Sequence, residues 1–293
     1  MRSLERNLMD RSKLEGLARP VQVIAVTGGK GGVGKTSVAV NLAASLAASG
    51  KRVILLDGDL GLANVDVFLG LSPRYTLAHV LSGERTLDEI LVTAPQGFQV
   101  VPAASGAANL ANLDASAHLG LVQAFSALAT QVDVLIVDTA AGLAHGVTQF
   151  SQAAQQVVVT ICDEPASLTD AYALVKVLSR HHGVSRFRVL ANMVRSPGAG
   201  QDLFRRFERV TTRFLDVVLD YVGEIPEDDY LRRAVRAQRT VADAYPSSTS
   251  AQAFRKFAAK TATWPIPSSP RGNLEFFVER LVQPRPVRLE AVQ

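Results

Sequence analysis

Apolar residues in this chain gather into short, almost unbroken runs, separated by longer stretches where they recur at helical spacing. Val21-Gln22-Val23-Ile24-Ala25-Val26-Thr27 is the first run, and Ser37 to Ala48 follows it with Val40, Leu42, Ala43, Leu46 and Ala47 in helical apolar spacing. Continuous Val/Ile/Leu runs mark strands buried on both faces, and the wider spacing marks helices that cover them. The rhythm predicts further strands at Val53 to Leu56, Phe98 to Pro102, Val132 to Asp138, Val157 to Cys162, Arg188 to Met193 and Val217 to Val222. It predicts helices at Ser116 to Ala129, Leu168 to Arg180, Gln201 to Phe214, Asp228 to Gln238 and Ser250 to Ala262. Strands alternating with helices imply an α/β fold with a mostly parallel central sheet and helices on both faces. No Pro/Gly/Ser-rich linker divides the middle of the chain, so one domain is expected over residues 20–265. A charged leader at 1–19, either a short amphipathic helix or a disordered arm, precedes it, and a helical tail at 266–293 follows.

Composition narrows the classes. Hydrophobic residues make up 47% of the 293 and mean hydropathy is +0.15, which suits a large core. No run approaches the roughly 18 to 20 apolar residues needed to cross a bilayer, so a soluble protein is expected. The single cysteine, Cys162, ends an apolar run and reads as a small core residue; it excludes an intramolecular disulfide and fits a reducing cytoplasm. The first residues lack an apolar stretch of signal-peptide length. A net charge of +4 permits contact with nucleic acid or anionic lipid and selects neither.

Chemistry concentrates in Gly28-Gly29-Lys30-Gly31-Gly32-Val33-Gly34-Lys35-Thr36, which fits G-x-x-x-x-G-K-[ST] between the first strand and the first helix. Glycines let such a loop bring its amides close to a polyphosphate, and the helix N-terminus adds a favourable dipole. Lys35 is then placed for the β- and γ-phosphates, Thr36 for Mg²⁺, and Ser37 beside them. The chain is expected to be a P-loop NTPase.

Two aspartate clusters follow apolar runs. In parallel sheets ligands bind at the carboxyl ends of the strands, so both carry weight. Asp57-Gly58-Asp59 leaves the second run, where a carboxylate orients an attacking water or supports the metal, or simply closes an Asp-Gly turn. Val134-Leu135-Ile136-Val137-Asp138 is the Walker B pattern, with Asp138 placed to hold a metal-bound water, and Thr139-Ala140-Ala141-Gly142 is small enough to move with the γ-phosphate.

Lys30, in the run Lys30-Gly31-Gly32-Val33-Gly34-Lys35-Thr36, makes the loop resemble the deviant Walker A motif K-G-G-x-G-K-[ST] of MinD/ParA-type ATPases. The resemblance implies ATP and Mg²⁺ as cofactors, slow regulatory hydrolysis and a homodimer when ATP is bound, with Lys30 reaching the partner's nucleotide. By the same resemblance, Asp57-Gly58-Asp59-Leu60-Gly61-Leu62-Ala63-Asn64-Val65-Asp66 is similar to switch I, with Asp59 at the water-activating position, and Asp138 to Gly142 to switch II. Lys30, Lys35 and Asp59 are thus the implied catalytic set. Asn192 falls at the usual adenine-contacting position, Glu164 is placed near the partner's nucleoside, and Gly223-Glu224-Ile225-Pro226-Glu227-Asp228 is similar to the loop that closes over the base, which adds Ile225, Pro226 and Glu227.

Asp59 to Asp66, Asp163 to Ala173 and Arg186 to Met193 further resemble the FlhG/FleN branch, the flagellar number regulators, from about Pro20 to the C-terminal helix. That likeness implies restraint of flagellar biogenesis through the transcriptional activator FleQ, in concert with the GTPase FlhF. The branch's N-terminal D-Q-A-x-x-L-R motif survives only as a degenerate echo in Asp10-Arg11-Ser12-Lys13-Leu14-Glu15-Gly16-Leu17-Ala18-Arg19, without its Gln. The tail places Leu274, Phe277, Val278, Leu281 and Val282 on one helical stripe with Phe276 off it. Such a helix over 272–283 either docks on the body or, as the family suggests, meets the inner face of the membrane. A second helix puts Leu203, Phe204, Phe207, Val210 and Phe214 opposite Arg205, Arg206, Arg209 and Arg213, and is expected to bury its aromatic face.

Absent residues exclude other classes. One cysteine cannot ligate an iron–sulfur cluster. Asn192-Met193-Val194-Arg195 lacks the Lys and Asp of N-K-x-D, so ATP is preferred to GTP, and the last tyrosine is Tyr245, so no terminal tyrosine cluster exists. A DNA-partition ATPase, a division-site regulator and a nonhydrolytic nucleotide-dependent binding module remain as alternatives, with direct DNA binding the lesser one.

Overall fold

The structure, a computed structural model, describes residues 21–103, 120–121, 124–128, 131–267 and 275–277. Eight strands form one sheet: β1 Gln22–Thr27, β2 Val53–Gly58, β3 Val92–Thr93, β4 Gln99–Val101, β5 Val134–Thr139, β6 Gln156–Ile161, β7 Arg186–Val194 and β8 Val218–Pro226. Their order is β3-β4-β2-β5-β1-β6-β7-β8, parallel throughout except for the antiparallel pair of β3 with β4. The expected mostly parallel sheet is the one observed.

Alternation along each strand explains why both faces are covered. In β1, Ile24 and Val26 join one core cluster while Val23 and Ala25 join another. In β6, Val158 faces one way and Val157, Val159 and Ile161 the other. Apolar residues at both parities leave no wet face, so helices must cap each side.

α1 Lys35–Ala48 covers one face together with α7 Asp229–Arg236, α8 Val241–Ala244 and α9 Thr249–Thr261. α4 His145–Ala153, α5 Pro165–His182 and α6 Ala199–Phe214 lie on the other. Two five-residue helices, α2 Val65–Leu69 and α3 Leu77–Leu81, follow β2. No helix among the described residues is long and apolar enough to cross a membrane.

Several expectations change. β8 runs on to Pro226, so Gly223-Glu224-Ile225-Pro226 is strand rather than loop. Register shifts at Val189/Leu190 and Ala191/Val194 let β8 follow β7 further than its apolar run suggests. Helix α6 buries Leu203, Phe204, Phe207 and Thr211 but leaves Val210 and Phe214 51% and 57% exposed, because the buried stripe passes through Thr211 rather than through those two positions.

The tail departs from a helical stripe where it is described: Phe276 and Phe277 sit in a turn, with Phe277 at φ 56°. Both rings are buried, Phe276 edge-on to Phe125 and stacked on Phe150, and Phe276 N donates to the Ala153 carbonyl. Two adjacent buried aromatics belong to a plug in the core; a one-sided surface helix would bury only one of them. The leader at 1–19, most of the 272–283 stretch and much of the predicted helix at Ser116 to Ala129 lie outside the described residues. Leu121, Phe125 and Leu128 of that helix are buried, and Cys162 is a buried free thiol.

Candidate nucleotide site

β1 lies between β5 and β6, and its connection crosses to β2, so the loop leaving β1 opens where the chain changes direction across the sheet. That crevice at the strand ends is where parallel sheets hold ligands. Gly32 and Gly34 adopt left-handed φ of 80° and 88°, which a side chain would oppose, and Gly34 caps α1. Gly29 packs against the backbone of α5, where an added Cβ would stand 2.1 Å from the Asp170 carbonyl carbon. The loop is therefore wedged against α5 at its start and against α1 at its end.

Lys35 heads α1 and is buried. Its ammonium donates to the Lys30 carbonyl at 3.3 Å, lying across the loop it serves. Burial holds its proton affinity below the usual lysine range, and the charges of Asp138 and Asp59 partly restore it. Lys30 is turned outward on the same loop, with its ammonium 2.5 Å from a carboxylate oxygen of Glu164, the residue preceding α5. That partner raises the Lys30 pKa.

Strand register sets the acidic floor. β2 and β5 pair Asp57 with Asp138 at their carboxyl ends. The Thr36 hydroxyl donates to Asp138 Oδ2 at 2.6 Å. Asp138 is fully buried, and its Oδ1, like the Ser37 hydroxyl, has no hydrogen-bond partner. Burial pushes the Asp138 carboxyl up to about 8 against the pull of Thr36.

Asp57 is also raised, to about 6, by burial, although its oxygens accept from the amides of Asp59, Asn64 and Val65. Two adjacent buried carboxyls beside a hydroxyl are short of positive charge. A hard cation taking oxygen ligands, such as Mg²⁺, meets that need. Among the described residues no group of three or more His, Cys, Asp or Glu forms a metal cage.

Asp59 is half-buried at the mouth of the crevice, and one of its oxygens accepts from Leu62 N at 3.1 Å. The segment after β5 touches the P-loop through Gly142 N to the Gly28 carbonyl at 3.4 Å.

The residues expected on the base side fall in three different places. Asn192 is buried at the end of β7 and donates to the Val33 carbonyl at 2.8 Å, bracing the P-loop from behind. An added Cβ on Gly34 would strike its amide nitrogen at 2.3 Å. Ile225 is a core residue packed with α1 and α9, so its side chain is withdrawn from any ligand. Pro226 and Glu227 instead line a cavity of about 570 Å³ with Val194, Arg195, Thr249 and Lys256. The Glu227 carboxylate is held by Arg232 at 2.9 Å and Arg195 at 3.4 Å.

Residues that sequence reasoning missed lie far apart along the chain. Asn41 of α1 accepts from Val241 N at 2.9 Å, and Gln238 donates to the Val67 carbonyl at 2.9 Å. No local pattern announces either bond.

The sequence model for the CobQ/CobB/MinD/ParA nucleotide binding domain matches residues 24–241. The chain is 57% identical over 271 residues to the antiactivator FleN of Pseudomonas aeruginosa, spanning 92% of this chain and 97% of that protein. It is 31% identical over 265 residues to the flagellum site-determining protein YlxH of Helicobacter pylori, spanning 89% of each. Among solved structures, the septum site-determining protein MinD of Pyrococcus horikoshii, complexed with Mg-ADP, superposes with a TM-score of 0.69 at 26% identity. That alignment covers 83% of this chain and 97% of the other.

Proposed function

The chain belongs to the CobQ/CobB/MinD/ParA nucleotide-binding family, and on that footing we propose that it is an ATP-driven, dimerising switch that restrains flagellar number and flagellar gene expression. The observation that carries the reading is the Thr36–Asp138 pair with its orphaned buried oxygen, set beneath a loop bearing both Lys30 and Lys35. The relatives named antiactivator and flagellum site-determining protein support the biological half.

ATP and Mg²⁺ are the cofactors; Thr36 would hold the metal, and Asp57 and Asp138 would support it. Bound Mg²⁺ neutralises charge that builds on the phosphates during hydrolysis. The amides of Gly29 to Ser37 line the phosphates, and Lys35 leaves the Lys30 carbonyl to meet them. Asp59 orients the water that attacks the γ-phosphorus, giving ADP and phosphate. Lys30 exchanges Glu164 for the nucleotide of a facing copy, so pairing depends on the third phosphate. Asn192, Pro226 and Glu227 flank the base. Hydrolysis is slow, because the product that matters is a changed surface.

The partner of that surface is the flagellar transcriptional activator FleQ, with the GTPase FlhF as a second contact, and the protein works in the cytoplasm. Capture of purified FleQ and FlhF by the immobilised chain, with ATP and with ADP, tests the assignment. FleQ is expected to be retained with ATP and lost on Lys30→Ala, which binds ATP without pairing. Salt-sensitive binding to DNA alone would point to partition instead, and liposome binding without FleQ capture to a division-site role.

A further inference from the structure

Helix α7 ends in a cap at Ala237, and the next residue, Gln238, is left-handed with φ 54°. Glycine is the favoured occupant of that position, since any Cβ is penalised there. The turn itself asks nothing of a glutamine. Its two bonds, Gln238 N to the Val235 carbonyl and Arg239 N to the Ala234 carbonyl, both 3.0 Å, are made by backbone alone.

The side chain does something else. Its Nε2 donates to the Val67 carbonyl of α2 at 2.9 Å, and its Oε1 lies 3.0 Å from where a Cβ on Gly70 would stand. Gly70 is the left-handed cap of α2, so the glutamine packs on the end of that helix.

The opposite end of α2 is held by Asp57, which accepts from Asn64 N and Val65 N at 3.0 and 3.1 Å. A five-residue helix is too short to hold itself, so its place is set by the burial of Val65 and Leu69 in the core and by these two attachments at its ends. The loop between Asp57 and α2 carries Asp59. On its far side, α7 starts immediately after Glu227, and its N-cap Asp228 is bonded to Tyr230 N and to the Ser250 hydroxyl at 2.8 and 2.7 Å. One short rod thus runs from the base-side cavity to the segment that carries the water-orienting carboxylate.

We propose that Gln238 is a positioning residue: it tethers α2 to α7 and thereby sets the placement of Asp59 for hydrolysis. This rests on the hydrolytic reading of the site. The left-handed backbone is the cost of putting a side chain, rather than a glycine, at a point that reaches Val67.

Two variants of the full chain separate tether from turn. Gln238→Gly relieves the backbone and removes the donor, so thermal stability holds or rises. Gln238→Glu keeps the size and presents only acceptors to a carbonyl. Both are expected to bind ATP with Mg²⁺ at wild-type affinity while turnover at saturating ATP falls about fivefold, the worth of one hydrogen bond. Amide exchange over residues 65–70 is expected to quicken by a similar factor. Wild-type turnover in Gln238→Gly overturns the proposal, as does a turnover loss matched by weaker ATP binding. If the wild-type chain itself turns over no ATP, the functional reading fails and exchange alone decides the tether.

Discussion

The two acidic segments that leave β2 and β5 begin from paired positions and end in opposite conditions. After β2, Asp57 spends its oxygens on three amides of its own segment, and α2 beyond it is fastened to Gln238. After β5, Asp138 receives the Thr36 hydroxyl and keeps one buried oxygen free, and in the residues that follow Gly142 N meets the Gly28 carbonyl of the P-loop at 3.4 Å. The first segment is built to hold a geometry. The second is left short of a partner, and on the proposed function it is the one that a cation and phosphates would complete. The proposed switch needs both: a fixed reference for the attacking water and a free group that registers what is bound.

The largest test of this contrast is Lys35→Ala, which removes the cation that answers both segments. Calorimetry with ATP and Mg²⁺ is expected to show affinity reduced about a hundredfold or more, the loss of a charge-assisted contact in a buried site. Asp59→Ala strikes only the held segment. Binding should persist while turnover falls about a hundredfold or more, and light scattering should show a dimer that does not dissociate. A monomer saturated with ATP would break that expectation.

Asp138→Asn strikes only the open segment and carries a pH signature. The folded carboxyl titrates at about 8, against 3.8 ordinarily. In metal-free protein, the contribution of Asp138 to stability is therefore fully present below the ordinary value and is lost as pH rises towards 8, because the unfolded chain ionises first. The metal-free variant should melt above the wild type at pH 8, and the gap should shrink as pH falls toward 4. A gap independent of pH would assign Asp138 no such strain. The smallest effect belongs to Glu164→Ala. Freeing Lys30 from an exposed ion pair should lower the protein concentration needed for ATP-dependent pairing by about two- to threefold.

Much of this was legible along the chain. The P-loop is a run of consecutive residues whose function lies in their own backbone, so strand, loop and helix could be read together. Asp138 was legible because a carboxylate after four apolar residues marks a strand end. Ile225 was misplaced because β8's length follows from its bulged register with β7, a property of two strands and visible in neither. Phe276 was misplaced because a helical stripe assumes a helix, and the ring instead fills space between Phe125 and Phe150.

What the amino-acid order determined by itself was the alternation that makes a doubly covered parallel sheet, together with the loop chemistry that suits a triphosphate. Both depend on neighbours within a few positions. Only the tertiary structure decided which aspartate is satisfied and which is left open, that Asn192 braces Val33, and that Gln238 reaches Val67. Those are hydrogen bonds between groups more than a hundred residues apart in all but the most local cases. Burial, which sets the affinity of Asp138 for protons and cations, exists only once helices have closed over both faces of the sheet.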